Sequence, residues 1–182
     1  AIISSKSFAS DWEMAVPDID MNADLGEGDP YDAELLAIVS SCNIACGGHA
    51  GDEASMLATV DAAIANGVAM GAHPAYPDRD GFGRRSNFQS GAALLESLIE
   101  QIRSLNVIVT RQGATMTHVK PHGALYHDMM GRAEVRATIL QALVGYHRPL
   151  ALMLQATALA DIHRAEAAAA GVPLLFEAFA DR

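Results

Sequence analysis

The side chains best suited to chemistry in this sequence gather in three short polar segments. These are His49-Ala50-Gly51-Asp52, Gly71-Ala72-His73-Pro74 running on to Arg85, and His118-Val119-Lys120-Pro121-His122. Each follows a short apolar run and sets His beside Asp, Lys or Arg among Gly and Pro, so it offers ligands, acids and bases on backbone that can bend closely around a small molecule. A fourth segment, Asp24-Leu25-Gly26-Glu27-Gly28-Asp29, adds carboxylates where nothing local calls for them. Asp24 and Glu27 are therefore candidates for general base or metal ligand. Lys120, led in by Thr115 to Val119, is a candidate for polarising a carbonyl or holding a phosphoryl oxygen, and His118 and His122 share its strand face. Arg84 and Arg85 follow Gly81-Phe82-Gly83, and a guanidinium fork suits a carboxylate or phosphate. Asn22 and Asn43 could hydrogen-bond a substrate amide or satisfy neighbouring loop backbone. Tyr76, Tyr126 and His127 are placed at the mouth of such a site.

The histidines leave alternatives open. His49, His73 and His122, with a carboxylate from Asp24, Glu27 or Asp52, would make a competent site for a divalent metal, which lowers the pKa of its bound water to about 7. Acid/base or substrate hydrogen-bonding roles suit the same side chains, as does plain structural satisfaction. His118 and His122 have the separation of a helical metal pair, but Pro121 opposes a helix there. Asp52 is a catalytic candidate that is equally explained as a helix cap.

What must position these residues is a rhythm that begins at Ile19: a brief apolar run, a Gly-rich or polar turn, then an amphipathic stretch. Strands are predicted at Ile19–Leu25, Asn43–Cys46, Val68–Ala72, Thr115–Lys120, Leu150–Leu154 and Pro173–Glu177. Helices are predicted at Asp32–Ser40, Glu53–Asn66, Gly91–Gln112, Ala133–Tyr146 and Thr157–Ala170. Asp52 and Ser90 can cap helix starts, while Gly67, Gly113 and Gly171 suit left-handed stops. Alternating strands and helices build a parallel sheet, and the loops leaving the carboxyl ends of its strands emerge on one face. The four polar segments converge there. The expectation is a single β/α-barrel domain over residues 19–182 that is C-terminally truncated, with residues 1–18 as an arm or leader. An unclosed barrel would expose strand edges, inviting homo-oligomerisation.

The chain has 182 residues, 51% hydrophobic, and a formal net charge of -10. That is enough to bury a core, and the charge argues against nucleic acid or an anionic membrane as partner. No apolar stretch reaches the roughly 18–20 residues a membrane span needs, so the expected compartment is the cytoplasm. Cys42 and Cys46 read as small buried residues, with Cys46 a remote candidate nucleophile. No Gly-x-x-x-x-Gly-Lys-Ser/Thr loop and no Gly-x-Ser-x-Gly elbow occurs.

Taken as a set, the motifs resemble the series of the LamB/YcsF family, the A subunits of 5-oxoprolinase. They are Asn22-Ala23-Asp24-Leu25-Gly26-Glu27, Ser41-Cys42-Asn43-Ile44-Ala45-Cys46-Gly47, His49-Ala50-Gly51-Asp52, Gly71-Ala72-His73-Pro74, Asp80-Gly81-Phe82-Gly83-Arg84-Arg85, and Val119-Lys120-Pro121-His122-Gly123-Ala124-Leu125-Tyr126. Phe179-Ala180-Asp181-Arg182 looks like a seventh. The resemblance covers Asp20 to Arg182. It implies an α/β fold, a seven-stranded β/α barrel of the glycoside hydrolase/deacetylase type, here with about six strands. It also implies ATP-dependent hydrolysis of 5-oxo-L-proline to L-glutamate, with ATP and Mg as co-substrate and subunits B and C as partners. The competing expectations are a metal-dependent carbohydrate or amide hydrolase or deacetylase, and a noncatalytic or inactive truncated binding subunit.

Overall fold

The structure is a computed structural model that describes residues 19–87, 91–144, 146 and 148–179. The expected arm at 1–18, the Ser90 cap and all of the seventh motif except Phe179 lie outside the described residues.

Six parallel strands pair in chain order: β1 (Asn22–Leu25), β2 (Ser41–Ala45), β3 (Ala69–His73), β4 (Met116–Val119), β5 (Ala151–Gln155) and β6 (Leu174–Glu177). They form a curled half-barrel, as the motif resemblance implies. Helices α1 (Asp32–Leu36), α2 (Glu53–Asn66), α3 (Gly91–Arg111), α4 (Gly123–Gly131), α5 (Ala133–Leu143) and α6 (Ala160–Ala170) fill the connections. Among the described residues no helix is long and apolar enough to cross a membrane.

Strand side chains alternate between faces, and the two faces here differ in chemistry. Cys42, Ile44, Met70, Ala72, Val119, Leu152 and Leu154 join one buried core with Val60 of α2, Leu98, Ile102 and Leu105 of α3, and Ile139 of α5. The opposite face carries the polar set. Strand register places Asp24 beside Asn43, Asn43 beside Gly71, and Gly71 beside His118, so one row crosses four strands.

Local signals work where they are strong. Asp52 caps α2 by accepting from the Ser55 amide while the Ser55 hydroxyl answers the Asp52 amide, and Gly67 ends that helix at φ 68°. Gly113 and Gly171 likewise take left-handed φ values of 75° and 71°. Two predictions need correction. Helix α4 begins directly after Pro121-His122, where the sequence reads as loop; proline only bars the turn before it, and Gly123 at φ 55° turns the chain into the helix. Helix α1 stops at Leu36 rather than Ser40, because Ser40 is engaged by Asp20 and the Met21 amide at the base of β1.

Candidate active site

The carboxyl ends of β1, β2, β3 and β4 bring Asp24, Glu27, His49, His73, Lys120 and His122 into one cluster. All four imidazoles of the chain's polar segments, His49, His73, His118 and His122, are buried. The His73 Nδ1–H donates to the Lys120 carbonyl at 2.6 Å, and the His122 Nε2–H donates to the Phe82 carbonyl at 2.9 Å. In their neutral forms both rings then turn a bare nitrogen inward, and His73 Nε2 lies 3.1 Å from His122 Nδ1. Two lone pairs at that distance repel unless a cation sits between them. Glu27 Oε1 completes the triangle at 3.6 Å from His73 Nε2 and 3.3 Å from His122 Nδ1.

This set could hold a metal ion. The ligand atoms of Glu27, His49, His73 and His122 lie within 4.8 Å of one another. Bonds of roughly 2.0–2.2 Å to a tetrahedral ion imply ligand separations of about 3.4 Å, close to the edges of the Glu27–His73–His122 triangle. Backbone carbonyls fix the outer N–H of His73 and His122, the arrangement usual for metal-ligating histidine. His49 differs: its Nε2 is 2.7 Å from Glu27 Oε1, while its buried Nδ1 has no hydrogen-bond partner among the described residues. A ligating Nε2 would need an acceptor for an Nδ1–H, so His49 is better placed as a donor to Glu27, stacked 3.6 Å from the His122 ring. Of the carboxylates the sequence offers, Glu27 reaches both rings, Asp24 Oδ2 comes to 3.5 Å of His73 Nε2, and Asp52 belongs to the α2 cap. Burial opposes ionisation of Glu27, yet the hydrogen bonds of His122 and His49 outweigh it and hold the group well below the usual carboxylate range.

Asp24 serves Lys120. The ammonium reaches Asp24 Oδ1 at 3.1 Å and Glu177 Oε2 at 3.2 Å, and lies 5.7 Å from the Phe179 ring centre. Burial raises the Asp24 pKa, but His73, Lys120 and Asn43 together leave it lowered. Tyr126 is buried and donates to Glu177 Oε1 at 2.8 Å. A cavity of about 160 Å³ is lined by Asp24, His73, Lys120, His122, Tyr126 and Phe179, among others. A second, of about 360 Å³, touches Glu27 and His49. A larger cavity, about 970 Å³, is lined by residues of α2 and α3 and by none of these side chains.

Other candidates stand elsewhere. Asp52 is exposed and engaged in capping, which explains it without catalysis. Arg85 pairs with Asp78, and Arg84 is 5.3 Å from the Phe82 ring centre. Asn43 is fully buried and spends its amide on Asn22, Asp24 and His118, so it serves neighbours rather than substrate; Asn22 also donates to Ser41 Oγ. Cys42 and Cys46 are buried free thiols whose pKa burial pushes up to about 12, which removes Cys46 as a nucleophile. Sequence reasoning missed Glu177 and the Phe82 carbonyl. Glu177 lay at the end of a predicted strand, and only the β5–β6 register shows which face it takes. Phe82 is the one non-glycine residue at positive φ among the described residues, at 53°.

Burial holds the His118 pKa down to about 4. The unfolded chain therefore binds a proton that the folded chain refuses between about pH 6.5 and 4. The stability tied to this group is full above the higher value and lost as pH falls through the window, by about 3 kcal/mol from the shift. Urea midpoints measured down this range should fall less steeply for His118→Gln than for the parent. Parallel slopes would contradict the assignment.

Six parallel strands in chain order, with titratable side chains gathered at their carboxyl ends, define a protein of the β/α-barrel type. The chain belongs to the LamB/YcsF family, whose model matches residues 19–182. It is 44% identical over 167 residues to the 5-oxoprolinase A subunit of Pseudomonas fluorescens Pf0-1, covering 89% of this chain and 67% of that protein. It is 46% identical over 167 residues to the second 5-oxoprolinase A subunit of Pseudomonas putida KT2440, covering 89% and 65%. The crystal structure of the lactam utilization protein from Thermus thermophilus matches with a TM-score of 0.84 at 37% identity, over 90% of this chain and 67% of that one. The chain thus spans about two thirds of the length of the relatives it matches.

Proposed function

We propose that this chain carries the ring-opening chemistry of a 5-oxoprolinase, in which water converts 5-oxo-L-proline to L-glutamate. The names of its relatives support that reading. The observation that carries it is the placement of Lys120, a buried ammonium between two carboxylates on a cavity of about 160 Å³ that His73 and His122 also line. Lys120 is positioned to hold the lactam oxygen as negative charge develops on it. Asp24 Oδ2, whose contact with Lys120 is the longer one at 3.4 Å, takes a proton from the attacking water. The new C–O bond forms at the lactam carbon, the C–N bond breaks, and the ring nitrogen leaves with the proton as the amine of glutamate.

The ATP dependence of the reaction belongs to the complete assembly with subunits B and C. Drug-sized ligands occupy roughly 300–1,000 Å³, so a cavity of about 160 Å³ suits a five-membered ring better than a nucleotide with its Mg. Phosphorylating the lactam oxygen elsewhere in the assembly would supply an activated carbon for water to attack. Free thiols at Cys42 and Cys46 accord with a cytoplasmic setting.

The facing nitrogens of His73 and His122 favour a second reading, in which Glu27, His73 and His122 hold a divalent cation in a hydrolase or deacetylase independent of ATP. Such an ion supplies Lewis acidity or an activated water. Calorimetric titration separates the substrates. Saturable binding of 5-oxo-L-proline, weakened at least about tenfold in Lys120→Met, is the expected result. Binding of an N-acetylated sugar with none of 5-oxo-L-proline would overturn the first reading in favour of the second.

A further inference from the structure

Asp24, Asn43, Gly71 and His118 lie in one register row across β1 to β4, yet Asn43 and His118 touch although β3 runs between their strands. Gly71 makes this contact feasible. A Cβ built there would stand 2.3 Å from His118 Cδ2 and 2.4 Å from its Nε2, so any side chain at this position would displace the imidazole. The missing side chain is a window through which His118 Nε2 reaches Asn43 Oδ1 at 2.8 Å.

Hydrogen-bond donors and acceptors then fix one another along the row. An ionised Asp24 can only accept, so the group 2.7 Å from its Oδ1 must be the Asn43 amide nitrogen, which also donates to Asn22 Oδ1. The Asn43 carbonyl oxygen therefore faces His118, and His118 must present an Nε2–H to it. His118 Nδ1 becomes the acceptor, and the Thr117 hydroxyl, 2.8 Å from it and 3.3 Å from the Met70 carbonyl, gives its one proton to the nearer of the two. The result is a one-way relay from Thr117 through His118 and Asn43 to Asp24. It ends on Oδ1, the oxygen that also takes Lys120 at 3.1 Å. Among the described residues, Asp24 Oδ2 has Lys120 at 3.4 Å and His73 Nε2 at 3.5 Å as its charged or ring-nitrogen neighbours.

We propose that His118 and Asn43 are positioning residues: acting through the gap at Gly71, they lock the Asp24 carboxylate so that Oδ1 anchors Lys120 and Oδ2 is left for the reacting water. The inference rests on the ring-opening role proposed for Asp24, and it extends the working site to two strand residues, Asn43 and His118, that do not themselves line the cavity. His118 itself lies outside the cavity lining, and its ring nitrogens engage Thr117 and Asn43.

Two measurements test it. Nitrogen-15 NMR of the parent chain should show His118 as the neutral Nε2–H tautomer near pH 7, with slowly exchanging Asn43 side-chain amide protons. In the assembly with subunits B and C, His118→Ala and Gly71→Ala should each lower kcat about 10–100-fold with KM within about threefold of the parent. His118→Gln, whose Nε2 can occupy the donor position, should recover most of the loss. Should Gly71→Ala fail to fold, the His118 pair and the parent spectrum still decide. A charged or Nδ1–H His118 would overturn the proposal, as would full kcat in His118→Ala or a loss of equal size in His118→Gln. A parent assembly without turnover would instead sink the ring-opening reading, and the NMR result would then judge the relay alone.

Discussion

Replacing Lys120 with alanine should lower glutamate release by about 10³-fold or more in kcat/KM. Removing a single donor to a developing oxyanion costs about 10²–10³ in rate, and Lys120 is in addition the cation that two carboxylates share. Without it, Asp24 and Glu177 lose the cation they share, so the fold should also lose about 2 kcal/mol. Circular dichroism and a thermal melt distinguish a folded, inactive variant from an unfolded one. Lys120→Arg should stay folded and recover little activity, because a planar guanidinium cannot take the ammonium's place between Asp24 Oδ1 and Glu177 Oε2. Activity in Lys120→Ala within tenfold of the parent would remove Lys120 from the chemistry.

The second large effect is expected at Glu27. Glu27→Ala removes the carboxylate that lies against His49, His73 and His122 at once. If the cluster binds a divalent ion, elemental analysis of the parent should find about one per chain, and Glu27→Ala should find almost none. Activity should fall about 10³-fold, since three neutral imidazoles lose the negative charge that draws a cation to them. Glu27→Gln keeps the shape but not the charge and should behave like the alanine variant. A parent free of metal yet fully active would show that a shared proton, rather than an ion, reconciles the facing nitrogens of His73 and His122.

Much of this arrangement was legible in the residues themselves. Asp52, Gly67 and Gly171 mark helix ends through local chemistry that needs no tertiary information, and all three stand where the sequence places them. The convergence of Asp24, Glu27, His49, His73, Lys120 and His122 follows from parallel topology alone, because every one of them sits at or just beyond the carboxyl end of a strand. What stayed hidden depends on distant partners. Glu177 becomes a ligand of Lys120 only through the β4–β5 and β5–β6 registers, and neither leaves a trace in local composition. Asn43 reads as a substrate contact until the Gly71 gap shows that His118 already occupies its carbonyl. Asp52 and Arg85 attract attention by charge and by proximity to the motifs, yet each satisfies a neighbour in its own loop, Ser55 and Asp78 respectively. Helix α4 was missed because Pro121 and Gly123 are ordinary loop residues whose role here is to start a helix.

Whether this chain opens the lactam is decided most directly by glutamate release from 5-oxo-L-proline. The assay is run with and without ATP, using the chain alone and then the assembly with subunits B and C, beside Lys120→Ala. Glutamate should form in the ATP-supplied assembly, with a loss of about 10³-fold in the variant. An assembled, folded complex that releases no glutamate, or one equally active with Lys120→Ala, would contradict the ring-opening role.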